Sequence, residues 1–142
     1  MLKLKTFIIT LMFLSSGIVS SEVVGLDPDG LDKMTSQGAV VIDIRTPAEW
    51  ENTGVIPASQ PLMFYDEDGN SDSEKWLKQL TKLKNNPDQP VVLVCHSGGR
   101  SSKVGEFLDK QIGMKNIHHL EGGISGWKKA GKPTKPCDAS GC

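Results

Sequence analysis

Two short runs, Ala39-Val40-Val41-Ile42-Asp43-Ile44 and Pro90-Val91-Val92-Leu93-Val94-Cys95, are apolar on both faces of an extended chain. A strand with no polar face must be covered on both sides, and sheets covered on both sides are built from parallel strands joined by helical crossovers. Amphipathic stretches stand between these runs, so the chain reads as β-α units around a mostly parallel sheet. Helices are expected at about Asp27–Gln37, Pro47–Asn52, Ser73–Leu83, Ser101–Ile112 and Ser125–Ala130, with weaker strands at Ser59–Met63 and Asn116–Leu120. Trp76, Leu77, Leu80 and Leu83 recur at helical spacing, which makes a core-facing stripe and not a cofactor box.

The ends of the chain read differently. Met-Leu-Lys-Leu-Lys followed by the uncharged, mostly apolar Thr6–Val19 is the pattern of an export signal. The apolar part is shorter than the roughly 18–20 residues a spanning helix needs, and Val19-Ser20-Ser21 supplies small residues before Glu22. The expected division is a cleaved signal peptide over 1–21, one domain over 22–130 and a flexible tail over 131–142, where Pro133 and Pro136 stand among Lys, Ser and Gly. The expected location is the periplasm, with no membrane attachment after cleavage; the alternative is an uncleaved N-terminal anchor.

With 16 basic and 17 acidic residues the net charge is −1, which gives no field to gather nucleic acid or anionic lipid. Small molecules or other proteins are the expected partners, and a monomer is expected. The acidic connection Tyr65–Asp72 lacks the Gly and Glu spacing of a calcium loop and reads as solvated surface.

The chemistry concentrates after the second buried run. Cys95-His96-Ser97-Gly98-Gly99-Arg100 links a strand to a helix beginning at Ser101 or Ser102, whose Val104, Phe107, Leu108 and Ile112 make one apolar face. Ligands of open parallel sheets bind at the carboxyl ends of the strands. Gly98 and Gly99 permit backbone angles that turn successive N–H groups inward into an anion-binding nest, and the helix adds the positive end of its dipole. A thiol placed there is expected to ionise more readily, which makes Cys95 a candidate nucleophile. Arg100 offers a bidentate fork for an oxyanion, Ser97 and Ser101 offer hydroxyls, and His96 is a rim donor or a bystander.

Cys137 and Cys142 lie in the last six residues. Pairing them would leave Cys95 as the free thiol; the spacing leaves open whether they pair or instead take part in a sulfur relay. His118-His119 with these cysteines suggests a metal site only superficially, because adjacent residues of a strand point to opposite faces. No metal and no cofactor are expected.

Four motifs together resemble the single-domain rhodanese family, including its periplasmic phage-shock-type members. They are Val41-Ile42-Asp43-Ile44-Arg45 with Glu49-Trp50, Gly54-Val55-Ile56-Pro57-Ala58, the loop Cys95–Ser101, and Gly122-Gly123-Ile124-Ser125-Gly126-Trp127. Val55 stands where the family commonly has His, so no role passes to it. The resemblance implies an α/β, rhodanese-like domain with about five mostly parallel strands flanked by helices. It implies a sulfurtransferase in which Cys95 takes sulfane sulfur from a donor such as thiosulfate as a persulfide and hands it to cyanide or a thiol. The loop from His96 through Ser101 would stabilise the persulfide and Arg100 would hold the donor, while Asp43, Arg45 and Glu49 would act structurally around them.

Two enzymatic or carrier rivals remain. Cysteine phosphatases bracket five residues between Cys and Arg, whereas Cys95 and Arg100 bracket four, and no acidic residue adjoins the loop as a general acid. A thiol redox or persulfide carrier would use Cys137 or Cys142, although Cys95 lacks a Cys-x-x-Cys partner. A non-catalytic binding module of the same fold typically lacks the cysteine that this chain keeps.

Overall fold

The computed structural model describes residues 22–138 and 142, so the expected signal segment lies outside the described residues. The elements alternate in the expected way: β1 (Val24–Leu26), α1 (Pro28–Ser36), β2 (Val40–Asp43), α2 (Pro47–Thr53), β3 (Ser59–Pro61), α3 (Ser73–Leu83), β4 (Val91–Val94), α4 (Gly99–Glu106), β5 (Ile117–Leu120) and α5 (Gly123–Lys129). Among the described residues the four strand pairings are all parallel, in the order β1-β5-β4-β2-β3. The fold is therefore the α/β, five-stranded parallel arrangement that the resemblance implied.

Burial follows from strand alternation. Ile42, Ile44, Val91, Leu93, Cys95 and Ile117 pack on one face with Trp76 and Leu80 of α3 and Val104 of α4. Val41, Val92, Val94 and Leu120 face the other way, against Leu31 of α1 and Trp127 of α5. The two runs singled out by their double-sided apolarity are the two central strands β2 and β4, as a fully covered sheet requires.

Three differences from expectation have local causes. β1 is only Val24-Gly25-Leu26, too short to show a period, and among the described residues pairs with β5 alone. α4 begins at Gly99 instead of Ser101 and passes at Phe107–Gln111 into a π-helical turn. The wider turn rotates the residues after it, so Ile112 leaves the apolar face and is 44% exposed.

The segment from Gly131 to Asp138 is packed, in contrast to the flexible tail expected. Lys135 exchanges both backbone hydrogen bonds with Val55 at 2.9 Å, and Trp127 Nε1 donates to the Pro133 carbonyl at 2.8 Å. Lys132 reaches Asp29 and Asp32 at 2.6 Å. Cys137 is buried and disulfide-bonded to Cys142, which leaves Cys95 as the free cysteine.

Candidate active site

β4 ends at Val94 and delivers Cys95 beneath the first turn of α4, on the same face as Val91 and Leu93. The thiol is 1% exposed. Gly98 adopts φ 101°, a left-handed conformation that a residue with a Cβ rarely takes, and this reverses the chain into α4. The reversal turns the Gly98 and Ser101 N–H groups onto Cys95 Sγ, at 3.1 and 3.4 Å. Ser101 Oγ lies 3.4 Å from the same sulfur. Two amides and a hydroxyl converging on one sulfur at a helix N-terminus favour negative charge there.

The loop is held from below by the start of α5. Ile124 N–H donates to the Cys95 carbonyl at 2.9 Å and Ser125 N–H to that of His96 at 3.1 Å. This close approach requires glycine at 123: its φ is 55°, and a Cβ would stand 2.5 Å from the Cys95 and His96 carbonyl oxygens. His96, Ser97 and Gly99 lie along the outside of the loop, with the His96 ring 3.4 Å from Ser125 Oγ.

Arg100 is turned toward α2. Its guanidinium donates to Glu49 through Nη1 at 2.9 Å and Nη2 at 2.5 Å, a fork-to-fork pair that uses two of its five donors. Glu49 also caps α2, accepting from the Thr46 N–H at 3.1 Å, while Thr46 Oγ1 accepts in return from the Glu49 N–H. The Arg100 hydrogen bond, opposed by partial burial and helped by the Thr46 amide, holds the Glu49 carboxyl at about 2. In turn Glu49 and, more weakly, the charge of Cys95 raise the Arg100 pKa against partial burial.

Asp43 and Arg45 lie fully buried around the end of β2. Arg45 donates to Asp43 through Nε at 2.9 Å and Nη2 at 2.7 Å, and its other donors reach Thr53 Oγ1 and the Gly54 carbonyl. This cluster fastens α2, and thereby Glu49, to the sheet. His119, which beside His118 suggested a metal site only superficially, also enters the site: its Nδ1 lies 3.2 Å from Ser101 Oγ. The usable signal was alternation on β5, since His119 shares the side of Ile117, which is buried against α4. His118 points away from it, and its buried Nδ1 has no hydrogen-bond partner among the described residues. A groove of about 620 Å³ lies between α2 and α3 along Trp50, Leu62, Phe64 and Trp76, and the cysteine loop does not line it.

The sequence profile of the rhodanese-like domain matches residues 27–130. The chain belongs to the rhodanese-like family. Among its curated relatives, the thiosulfate sulfurtransferase GlpE of Pseudomonas fluorescens is 32% identical over 108 residues, covering 76% of this chain and 87% of that protein. An uncharacterised protein of Synechocystis is 33% identical over 113 residues, 78% of this chain but only 55% of its own length. Among solved structures, the polysulfide-sulfur transferase homodimer of Wolinella succinogenes superposes with a TM-score of 0.62 at 25% identity, covering 82% of this rhodanese-like chain and 81% of that one. The family therefore includes proteins named as sulfurtransferases.

Proposed function

We propose that this rhodanese-like protein moves sulfane sulfur from thiosulfate or a similar donor to cyanide or a thiol through a persulfide on Cys95. The observation that carries the reading is the convergence of the Gly98 and Ser101 amides and the Ser101 hydroxyl on the Cys95 sulfur. In the first step the Cys95 thiolate attacks the outer sulfur of thiosulfate; a new S–S bond forms, the old one breaks, and sulfite leaves with its electron pair. In the second, cyanide attacks the terminal sulfur of the persulfide, thiocyanate leaves, and the Cys95 thiolate is regenerated. Arg100, steadied by Glu49, adds positive charge beside the site for the donor's oxyanion end.

The four-residue spacing from Cys95 to Arg100 and the closure of Arg100 on Glu49 favour this over a phosphatase. The Cys137–Cys142 disulfide weighs against a relay through the tail and fits an oxidising compartment, in keeping with export through cleavage near Ser20 or Ser21. Among the described residues no helix is long and apolar enough to cross a membrane.

The test is thiocyanate formation from thiosulfate and cyanide by the purified protein, beside Cys95→Ser. Activity that depends on Cys95, with one added sulfur mapped to Cys95 by intact and peptide mass after thiosulfate alone, supports the reading. No thiocyanate from the wild type, or an equally active Ser variant, sinks it.

A further inference from the structure

Cys95 is buried, so bulk water is poorly placed to take its proton. Among the described residues, the hydrogen-bond neighbours of Cys95 Sγ are the Gly98 amide, the Ser101 amide and the Ser101 hydroxyl. Peptide N–H groups stabilise a thiolate but accept no proton. The hydroxyl can accept one and release its own. Ser101 Oγ has two further contacts: the Gly98 carbonyl at 3.1 Å and His119 Nδ1 at 3.2 Å. The carbonyl orients the hydroxyl and takes no proton. The imidazole is a base.

We propose that His119 is the proton acceptor for Cys95, acting through the Ser101 hydroxyl as a positioning residue of the sulfur-transfer site. As the Cys95 S–H bond breaks, its proton passes to Ser101 Oγ, while the proton already on Ser101 passes to His119 Nδ1. The products are a thiolate and an imidazolium, with no other reactant. Ser101 keeps one hydrogen throughout and finishes with it directed at the sulfur. The proton held on His119 then offsets the negative charge of thiolate or persulfide across the hydroxyl. This rests on the persulfide reading above and deepens it, since it names how the nucleophile is made.

The surroundings suit a base. Desolvation lowers the pKa of His119, opposed by the Glu121 charge farther along the chain, so the ring is neutral and free to accept at neutral pH. From β1 the register partner is Gly25, which carries no charge. From the loop and α4 the charged or titratable groups around the thiol are Cys95 itself, His96, whose ring lies on the outside of the loop 3.4 Å from Ser125 Oγ, and Arg100, which is paired with Glu49 of α2. From β4 the register partner of His119 is Leu93, which carries no charge. The imidazolium, once formed, is stabilised by the thiolate it created.

The experiment reads the thiolate without reading sulfur transfer: the rate of Cys95 alkylation by iodoacetamide, followed by intact mass from pH 4 to 9. His119→Gln keeps a hydrogen-bonding group near Ser101 and cannot hold the proton. It is expected to move the inflection upward by about one unit, a roughly tenfold slower reaction at pH 6. Ser101→Ala shifts it in the same direction, and the double variant shifts it no further than the larger single one. Superimposable profiles for wild type and His119→Gln overturn the proposal.

A wild-type measurement guards against a variant that fails to fold. Capping Cys95 with iodoacetamide should change the NMR titration of the His119 ring; an unaltered His119 titration overturns the relay. A shifted alkylation profile in a protein that makes no thiocyanate would keep the relay and sink the sulfurtransferase reading. Thiocyanate formation with superimposed profiles would do the reverse.

Discussion

Arg100 and Glu49, 51 residues apart, close on each other as a two-pronged ion pair at 2.9 and 2.5 Å beside the cysteine loop. Glu49 is also the capping residue of α2, so one carboxylate ties a helix start to the loop's far end. Glu49→Gln keeps the shape and loses the charge. Both side chains are about a third exposed, so solvent screening limits the stability loss to about 1 kcal/mol. Thiosulfate turnover should fall further than stability does, mainly through a raised KM, because the freed Arg100 no longer has a fixed direction. Steady-state kinetics beside a urea melt separate the two effects; an unchanged KM would show that Arg100 does not meet the donor.

Asp43 and Arg45 are fully buried and hydrogen-bonded on almost every side. Removing one partner strands the other charge away from water. Asp43→Asn and Arg45→Met are each expected to cost about 3–5 kcal/mol, enough to threaten folding, while the double replacement Asp43→Leu/Arg45→Met should cost less than the sum. Chemical denaturation of the three variants checks this. Additive losses would mean that the pair is not coupled.

What the sequence revealed of this molecule was what local pattern encodes. β2 and β4 were legible because both their faces are apolar, α3 because Trp76, Leu77, Leu80 and Leu83 hold one stripe, and Cys95 because two glycines and an arginine come after it. β1 was not, since three residues including Gly25 carry no period and its pairing with β5 is a tertiary fact. The π-helical turn that exposes Ile112 has no signature in residue spacing. The segment after Gly131 looked flexible because Pro, Lys and Gly show no apolar face; its order comes from partners far away, Val55 and Asp29 among them. The His119 contact with Ser101 likewise depends on β5 lying beside α4.

Acid should destabilise the protein in two separable stages. Burial lowers the pKa of His118 and His119, so between the folded and unfolded values the unfolded chain binds more protons. Their contribution is complete above about 6.5, the unfolded histidine value, and is lost as pH falls through the lower folded values. Glu49 behaves alike in a lower window: its contribution is present above 4.5 and disappears as pH approaches about 2. Urea midpoints should therefore drop between pH 7 and 5, and His118→Gln, which cannot charge, should flatten that slope. A midpoint that is level from pH 7 to 5 would contradict it.

Gly123 sits under the loop with φ 55° and no space for a side chain. In Gly123→Ala the new Cβ must push the Cys95 and His96 carbonyls away from α5, breaking or stretching the bonds from Ile124 and Ser125. The left-handed backbone adds about 1 kcal/mol, and the displaced loop brings the total to about 2–3 kcal/mol. Because those carbonyls flank the thiol, the amides of Gly98 and Ser101 lose their aim at Cys95 Sγ as the loop moves. Loss of one preorganised donor to a developing anion typically costs about 100-fold in rate. Thiocyanate formation should thus fall by about that factor at temperatures where circular dichroism still shows a folded protein. Gly131→Ala, whose φ is also positive at 73° but whose Cβ meets open space, serves as the control: a similar strain, with activity retained. If the two variants lose activity equally, backbone strain and not loop displacement is the cause, and the support of the cysteine loop by α5 is not what sets its reactivity.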